Sequence, residues 1–338
     1  MRTLLISDLH LGTRLRRDVL REPEALEALL TALDGIDRLV LLGDVVELAE
    51  GRARHAMEVA APVLRAIGTA MGPDREIVVV PGNHDRALIR PWLRGPGAPS
   101  SVEAVVPLDA SAPLARVVAW LKPARVAVRY PGVWIGDRVW ATHGHYLDRH
   151  LVPVSAYGIW RGLLRRPARD TAEPAEYEVR HRPTVARLGG ALTRWLPRPL
   201  AALVDDLAEL ARAATMPTIP RRLSGHRIAP VTARILGLQM QRASLPALAR
   251  VAHRLRVDAD WVIFGHVHRS GPLAGDDPRW WRGPGGTPRM LNTGAWVYEP
   301  LLVHRARPPH PYWPGGAVLV EDGAEPRAVG LLDHLPEL

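Results

Sequence analysis

Val78-Val79-Val80-Pro81-Gly82-Asn83-His84-Asp85 is the stretch from which the fold of this chain can be read. A β-branched apolar run stops at Pro81 and Gly82, and three side chains able to bind metal or move protons follow at once. An apolar run without polar alternation is the pattern of a strand buried on both faces of a parallel sheet, and ligands bind beyond the carboxyl ends of such strands. Working outward, residues 3–7 and 38–42 read as two more buried strands, with 76–80 as the third. Between them, residues 22–33 and 55–67 read as helices, the first with Leu26, Leu29, Leu30 and Leu33 on one face. This β, α, β, α, β order predicts a parallel or mixed sheet covered by helices, its strand ends gathered on one edge.

Residues 86–93 open a further helix, and 94–101 form a Pro/Gly/Ser loop. Residues 125–130 and 133–141 read as strands that turn at Gly136-Asp137 and lead into Thr142-His143-Gly144-His145. From about residue 150 the composition changes. Residues 184–196, 200–210, 228–238 and 245–255 have amphipathic helical patterns, interrupted by prolines. β character returns at 261–264, followed by Gly265-His266-Val267-His268, then at 289–292 and in a hairpin of 317–321 with 327–331. The chain therefore divides into 1–150, the first part of a core; 151–255, a helical insertion; and 256–338, which completes the core.

With 338 residues, 47% of them hydrophobic, the chain can bury a large core. It has no cysteine, which removes disulfides, thiolate ligands and Cys nucleophiles, so any metal sits on nitrogen and oxygen. Neither a signal-peptide pattern nor a run of about 18 apolar residues occurs, so a cytoplasmic protein without spanning helices is expected. The formal net charge of +9 is localised: residues 151–255 hold 17 Arg against 7 Asp plus Glu, while the remainder holds 27 basic against 28 acidic residues. A basic segment suits anionic partners, whether phosphorylated substrate, acidic lipid or nucleic acid, and equally suits a solvated helical surface. The aromatic-interleaved platform usual for nucleic acid is missing, which makes that partner the less favoured one.

Each apolar strand is followed by candidate ligands: Asp8 and His10, Asp44, Asn83 and His84, His143, then His266 and His268. Taken singly, Asp-Leu-His reads as a helix cap with a surface histidine, and Gly43-Asp44 as a turn. Together they make a nitrogen and oxygen donor set large enough for two divalent cations sharing a carboxylate, an arrangement suited to in-line phosphoryl displacement. Trp280, Trp281 and Trp296 read as packing residues or as contacts for an aromatic or lipid group, and Asp148, Arg149 and His150 are too generic to assign.

Asp8-Leu9-His10, Gly43-Asp44-Val45-Val46-Glu47, Gly82-Asn83-His84-Asp85, His143-Gly144 and Gly265-His266-Val267-His268 resemble, in order, the five motifs of the calcineurin-like metallophosphoesterase superfamily. The resemblance covers residues 1–145 and roughly 258–330 and leaves out the insertion. It implies an α/β fold, a β-sandwich of mixed sheets flanked by helices, carrying a metal-dependent phosphoric ester hydrolase. Asp8, His10 and His268 would hold one metal, Asn83, His143 and His266 the second, and Asp44 would bridge them. His84 would stabilise the phosphoryl oxygens and protonate the leaving group, with Glu47 orienting its ring. Two divalent ions are implied, Mn first, with Fe, Zn or Mg as alternatives. P–O bonds of a phosphomonoester, phosphodiester or diphosphate, lipid- or nucleotide-linked, would be cut by a metal-bridging hydroxide. The insertion would cap the site, and its basic helices would touch anionic lipid at the inner membrane face. A nuclease, or a non-catalytic binding module on the same fold, is the alternative. The Ser-Asp-Leu-His-Leu start and the insertion are also similar to UDP-diacylglucosamine pyrophosphohydrolases, but those enzymes carry Arg where this chain has His84.

Overall fold

Successive side chains of each strand enter two different cores, which is why the strands read as unbroken apolar runs. The computed structural model describes residues 1–13, 16–50, 52–95, 99–151, 171–178, 237, 240–303 and 305–335. Strands β1 (Arg2–Ile6), β2 (Arg38–Leu41) and β3 (Glu76–Val79) pair in parallel, with Leu5 opposite Val40 and Val40 opposite Val78. Leu4, Ile6, Leu39, Leu41, Ile77 and Val79 pack outward with helices α1 (Pro23–Ala32) and α2 (Ala53–Met71). Leu5, Val40 and Val78 point the other way, into an inner layer.

β5 (Arg125–Trp134) joins the two halves of the ladder. Its start pairs in parallel with β3 (Val79 opposite Val128), and its end pairs antiparallel with β6 (Val139–Thr142), Val133 opposite Ala141. β7 (Trp261–Phe264) and β8 (Arg289–Asn292) follow β6 in parallel. Ala141, Ile263 and Leu291 meet Leu5, Val40 and Val78 in the inner layer, while Trp140, Val262, Phe264 and Met290 pack outward with a later helix, Leu245–Arg254. At the far edge β9 (Gly316–Glu321) runs antiparallel to β1 and carries β10 (Arg327–Gly330). The product is a β-sandwich of mixed sheets flanked by helices. The carboxyl ends of β1, β2 and β3 and those of β6, β7 and β8 open onto one edge.

Three expectations need correction. The segments expected as separate strands at 125–130 and 133–141 are divided elsewhere, because β5 continues through Pro131-Gly132 to Trp134. Residues 86–93 do not form one helix: a 3-10 turn at Arg86–Leu88 is followed by α3 (Arg90–Arg94), which restarts with Pro91 in its first turn. A short strand, β4 (Glu103–Val105), and α4 (Ala112–Trp120), capped by the Ser111 hydroxyl accepting from Leu114 N at 3.1 Å, fall where no element was read. Of the segment expected as an insertion, a short helix α5 (Pro174–Glu178) and α6 (Leu245–Arg254) are described; the helices expected at 184–196 and 200–210, and that at 228–238 apart from residue 237, lie outside the described residues. No helix among the described residues is long and apolar enough to cross a membrane.

Candidate active site

The loops after β1, β2, β6 and β7 are tied to one another by main-chain bonds. Asp8 N donates to Gly43 O (3.0 Å), His10 N to Asp44 O (2.8 Å) and Gly265 N to His143 O (3.0 Å). These loops turn abruptly: Asp8, His10, Asp44, His266 and His268 all have φ between 42° and 69°. They are five of the eight non-glycine residues in that left-handed region among the described residues. Such backbone costs about 1–3 kcal/mol per residue and persists where the surrounding structure imposes it. The motif glycines allow the close approach. A Cβ on Gly43 would collide with the His143 ring, and one on Gly265 with Ser7 and Asp8.

All seven sequence-predicted ligands converge, and they form overlapping groups. Asp8, His10 and His268 offer ligand atoms within 4.8 Å of one another; so do Asp44, His143 and His266, and so do His10, Asp44 and His84. His10 Nε2 faces His268 Nε2 at 3.2 Å, and Asp8 Oδ1, buried without a hydrogen-bond donor, lies 3.2 Å from His268 Nε2. Two ring nitrogens and an unpartnered buried carboxylate oxygen aimed at one point suit a cation. On the other side, His143 Nε2 is 3.1 Å from Asp44 Oδ2 and 3.1 Å from Asn83 Oδ1. Asp44 Oδ2 also lies 3.8 Å from His10 Nε2, between the two groups.

Outer partners select the ring nitrogen that each histidine presents. His143 Nδ1 donates to Leu42 O (3.0 Å), so Nε2 is the nitrogen turned toward Asp44 and Asn83, and His10 Nδ1 donates to Glu47 Oε2 (2.8 Å), which turns its Nε2 toward His268. His266 is reversed: its Nε2 donates to Asp148 Oδ1 (2.9 Å), so Nδ1 is the nitrogen left for a ligand role. Asp148 therefore has a definite partner, although nothing in its sequence surroundings marks it. Asp8 Oδ2 is held by the Ser7 hydroxyl and by His266 N (2.9 Å). Ser7 in turn meets Thr293 Oγ1 at 2.6 Å, and Asn292 Nδ2 donates to Gly265 O at 2.8 Å. The loop after β8 thus shapes the two loops that carry Asp8 and His266.

Glu47 is more than an orienter of one ring. Its carboxylate accepts from both His10 and His84, whose Nδ1 lies 2.8 Å from Oε2. Burial works against the Glu47 charge, but the His10 and His84 hydrogen bonds outweigh it and bring the carboxyl down to about 2. For His84, burial opposes the cation, yet the Glu47 hydrogen bond and the charges of Asp44, Glu47 and Glu50 hold the imidazole up to about 9. Asp85 stays outside this chemistry. Fully buried, it accepts from Gly82 N (2.6 Å) and Val45 N (2.8 Å), lacing the β2 and β3 loops together. Asp85→Ala leaves both N–H groups without acceptors and is expected to destabilise the fold by roughly 2–6 kcal/mol, at about 1–3 kcal/mol each. Urea unfolding of the variant measures this, and a change within error would remove the lacing role.

His145, which from sequence reads equally as an outer neighbour of His143 or as a solvent-facing loop histidine, is half-buried with its ring centroid 5.5 Å from that of His143. Burial, and then the neighbouring His143, push its pKa well below the ordinary value; its Nε2 meets the Tyr130 hydroxyl at 3.2 Å. Trp281 and Trp296 are core residues, and Trp280 is exposed.

The sequence profile of the calcineurin-like phosphoesterases matches residues 1–207, and the chain belongs to that family: it is a hydrolase acting on phosphoesters. The matched stretch ends before Gly265-His266-Val267-His268; the fold itself brings that motif to the others. Among solved structures, a novel archaeal phosphodiesterase is similar at 12% identity over 97% of this chain and 99% of its own, with a TM-score of 0.33. The cold-active protein-tyrosine phosphatase of a psychrophilic Shewanella species is similar at 12% identity over 95% of this chain and 75% of its own, with a TM-score of 0.32. No curated protein matches the sequence.

Proposed function

We propose that this protein hydrolyses P–O bonds with the help of two divalent cations, manganese foremost. One would be held by Asp8, His10 and His268 and the other by Asn83, His143 and His266, with Asp44 common to both. The observation that carries this reading is the position of Asp44 Oδ2, 3.1 Å from His143 Nε2 and 3.8 Å from His10 Nε2, with unpartnered Asp8 Oδ1 in the adjoining group. Cations at these positions supply a nucleophilic water at neutral pH and compensate the charge of the phosphoryl oxygens. The remaining work falls to the chain. Glu47 accepts from His84 Nδ1 and leaves Nε2 to carry a proton toward the leaving-group oxygen, and the high pKa of His84 keeps that proton on the ring at neutral pH.

A substrate whose leaving oxygen benefits from protonation, such as an alkyl phosphomonoester or phosphodiester, makes fullest use of His84. A purely non-catalytic role is disfavoured because the whole donor set and its acid are present together. The test is turnover by metal-free protein reconstituted separately with Mn, Zn, Fe and Mg, assayed against aryl and alkyl monoesters, diesters and a diphosphate. Metal-dependent hydrolysis of at least one class is expected. Absence of turnover with every metal and class would sink the proposal.

A further inference from the structure

Beyond the candidate ligand groups lies a second buried cluster, built around Glu178 at the end of α5, within the 151–255 segment. Its side chain is 9% exposed, and Oε2 accepts from Arg86 through Nε (2.9 Å) and Nη2 (2.5 Å). Oε1 accepts from the Tyr146 hydroxyl (2.6 Å) and from that of Tyr130. Burial first, with the Glu178 charge contributing, raises both phenols well above their ordinary range, so they remain protonated donors. The preceding residue completes the attachment: the Tyr177 ring stacks on Tyr146 with centroids 4.7 Å apart.

What these partners have in common is their place in the chain. Arg86 lies three residues beyond Asn83 and two beyond His84, and Tyr146 lies three residues beyond His143. Tyr130 meets His145, whose ring centroid is 5.5 Å from that of His143. The two loops touch at their ligands, where Asn83 Oδ1 meets His143 Nε2 at 3.1 Å, and they are joined again farther out through one carboxylate. We propose that Glu178 is a positioning residue for the second cation subsite, through which the 171–178 segment holds the Asn83-His84 loop and the His143 loop at their working separation. This rests on the two-cation reading above. It gives the insertion a role in assembling the site.

The experiment is a Mn titration of metal-free protein followed by EPR, in which a spin-coupled pair is distinct from a single ion. Wild-type protein takes two ions. Glu178→Gln keeps the size of the side chain but loses the charge; it should bind the first ion as wild type does and the second up to about 10-fold more weakly, the lower end of the cost of losing a group bonded directly to a ligand. Tyr146→Phe keeps the stacked ring and loses one donor; a smaller weakening of the second ion is expected, and this variant carries the test should Glu178→Gln not fold. Arg254→Gln removes a different attachment of the same segment, the donor 3.3 Å from the Tyr177 hydroxyl, and should leave both affinities unchanged. The proposal is overturned if folded Glu178→Gln and Tyr146→Phe titrate like wild type, or if Arg254→Gln weakens the second ion equally. Wild-type protein that binds fewer than two ions overturns the two-cation reading instead.

Discussion

His84→Ala is expected to lower kcat by about 10²–10⁴ on an alkyl phosphoester at neutral pH while leaving two-ion binding intact. The size follows from what the side chain does. His84 Nδ1 is occupied by Glu47 at 2.8–2.9 Å, the ring is held up to about 9, and a quarter of the side chain remains exposed at 25%. It is thus a protonated acid with one free N–H at the mouth of the site. Ring centroids of His84 and His10 stand 4.7 Å apart, so the acid borders the first ligand group directly. His84 also belongs to one of the groups able to hold a cation, which makes the metal readout decisive for its role. A ligand would lose ion affinity on substitution; an acid would lose turnover alone. A second comparison isolates the proton. The defect should shrink on a nitrophenyl ester, whose leaving group departs without protonation. Equal losses on alkyl and nitrophenyl esters would assign His84 to electrostatic stabilisation of the phosphoryl oxygens, and unchanged turnover would remove it from the chemistry.

The candidate ligand set is legible because each member follows a strand whose burial on both faces is written as an unbroken apolar run. Val78 and Val80 enter the inner layer and Ile77 and Val79 the outer one, so no polar residue interrupts the strand before Gly82. Where burial changes along a single strand, the reading fails. Pro131-Gly132 reads as a break, yet β5 passes there from one sheet to the other. Pro131 O accepts from Thr142 Oγ1 at 2.8 Å, and a Cβ on Gly132 would collide with Trp140 and with the carbonyl of Ala141. The glycine is needed for contact, not for a turn. The outer partners were illegible for a different reason. Asp148 meets His266 118 positions away, and Glu178 meets Tyr146, Tyr130 and Arg86 at separations of 32, 48 and 92 positions; such contacts leave no periodicity behind.

Metal uptake is expected to tighten as pH rises from 6 to 8, by about tenfold per pH unit for each imidazolium displaced. Without cations, the carboxylates that would share the metal instead stabilise a protonated His143. Burial opposes the charged form of His143, but Asp44, beside it at 3.1 Å, and then Asp8 outweigh this and hold it up to about 10. His268 is likewise raised, burial being overcome by Asp8. His143 therefore carries a proton at neutral pH, and a cation must expel it. The same shifts fix how the metal-free fold responds to pH. The stabilisation from protonated His143 is full below its ordinary value of 6.5 and is lost as pH rises through about 10. Glu47 behaves oppositely: its contribution is full above its ordinary value of 4.5 and is lost as pH falls toward about 2. Raising the pH thus weakens the metal-free fold while strengthening the metal-loaded one, and the gap between their melting temperatures should widen from pH 6 to 8. Mn calorimetry in two buffers of different ionisation enthalpy counts the protons released, and thermal unfolding with and without chelator reads the gap. Uptake that releases no protons, with an affinity flat across this range, would mean that His143 is already neutral and would break the link between the buried carboxylates and the pH dependence of metal uptake.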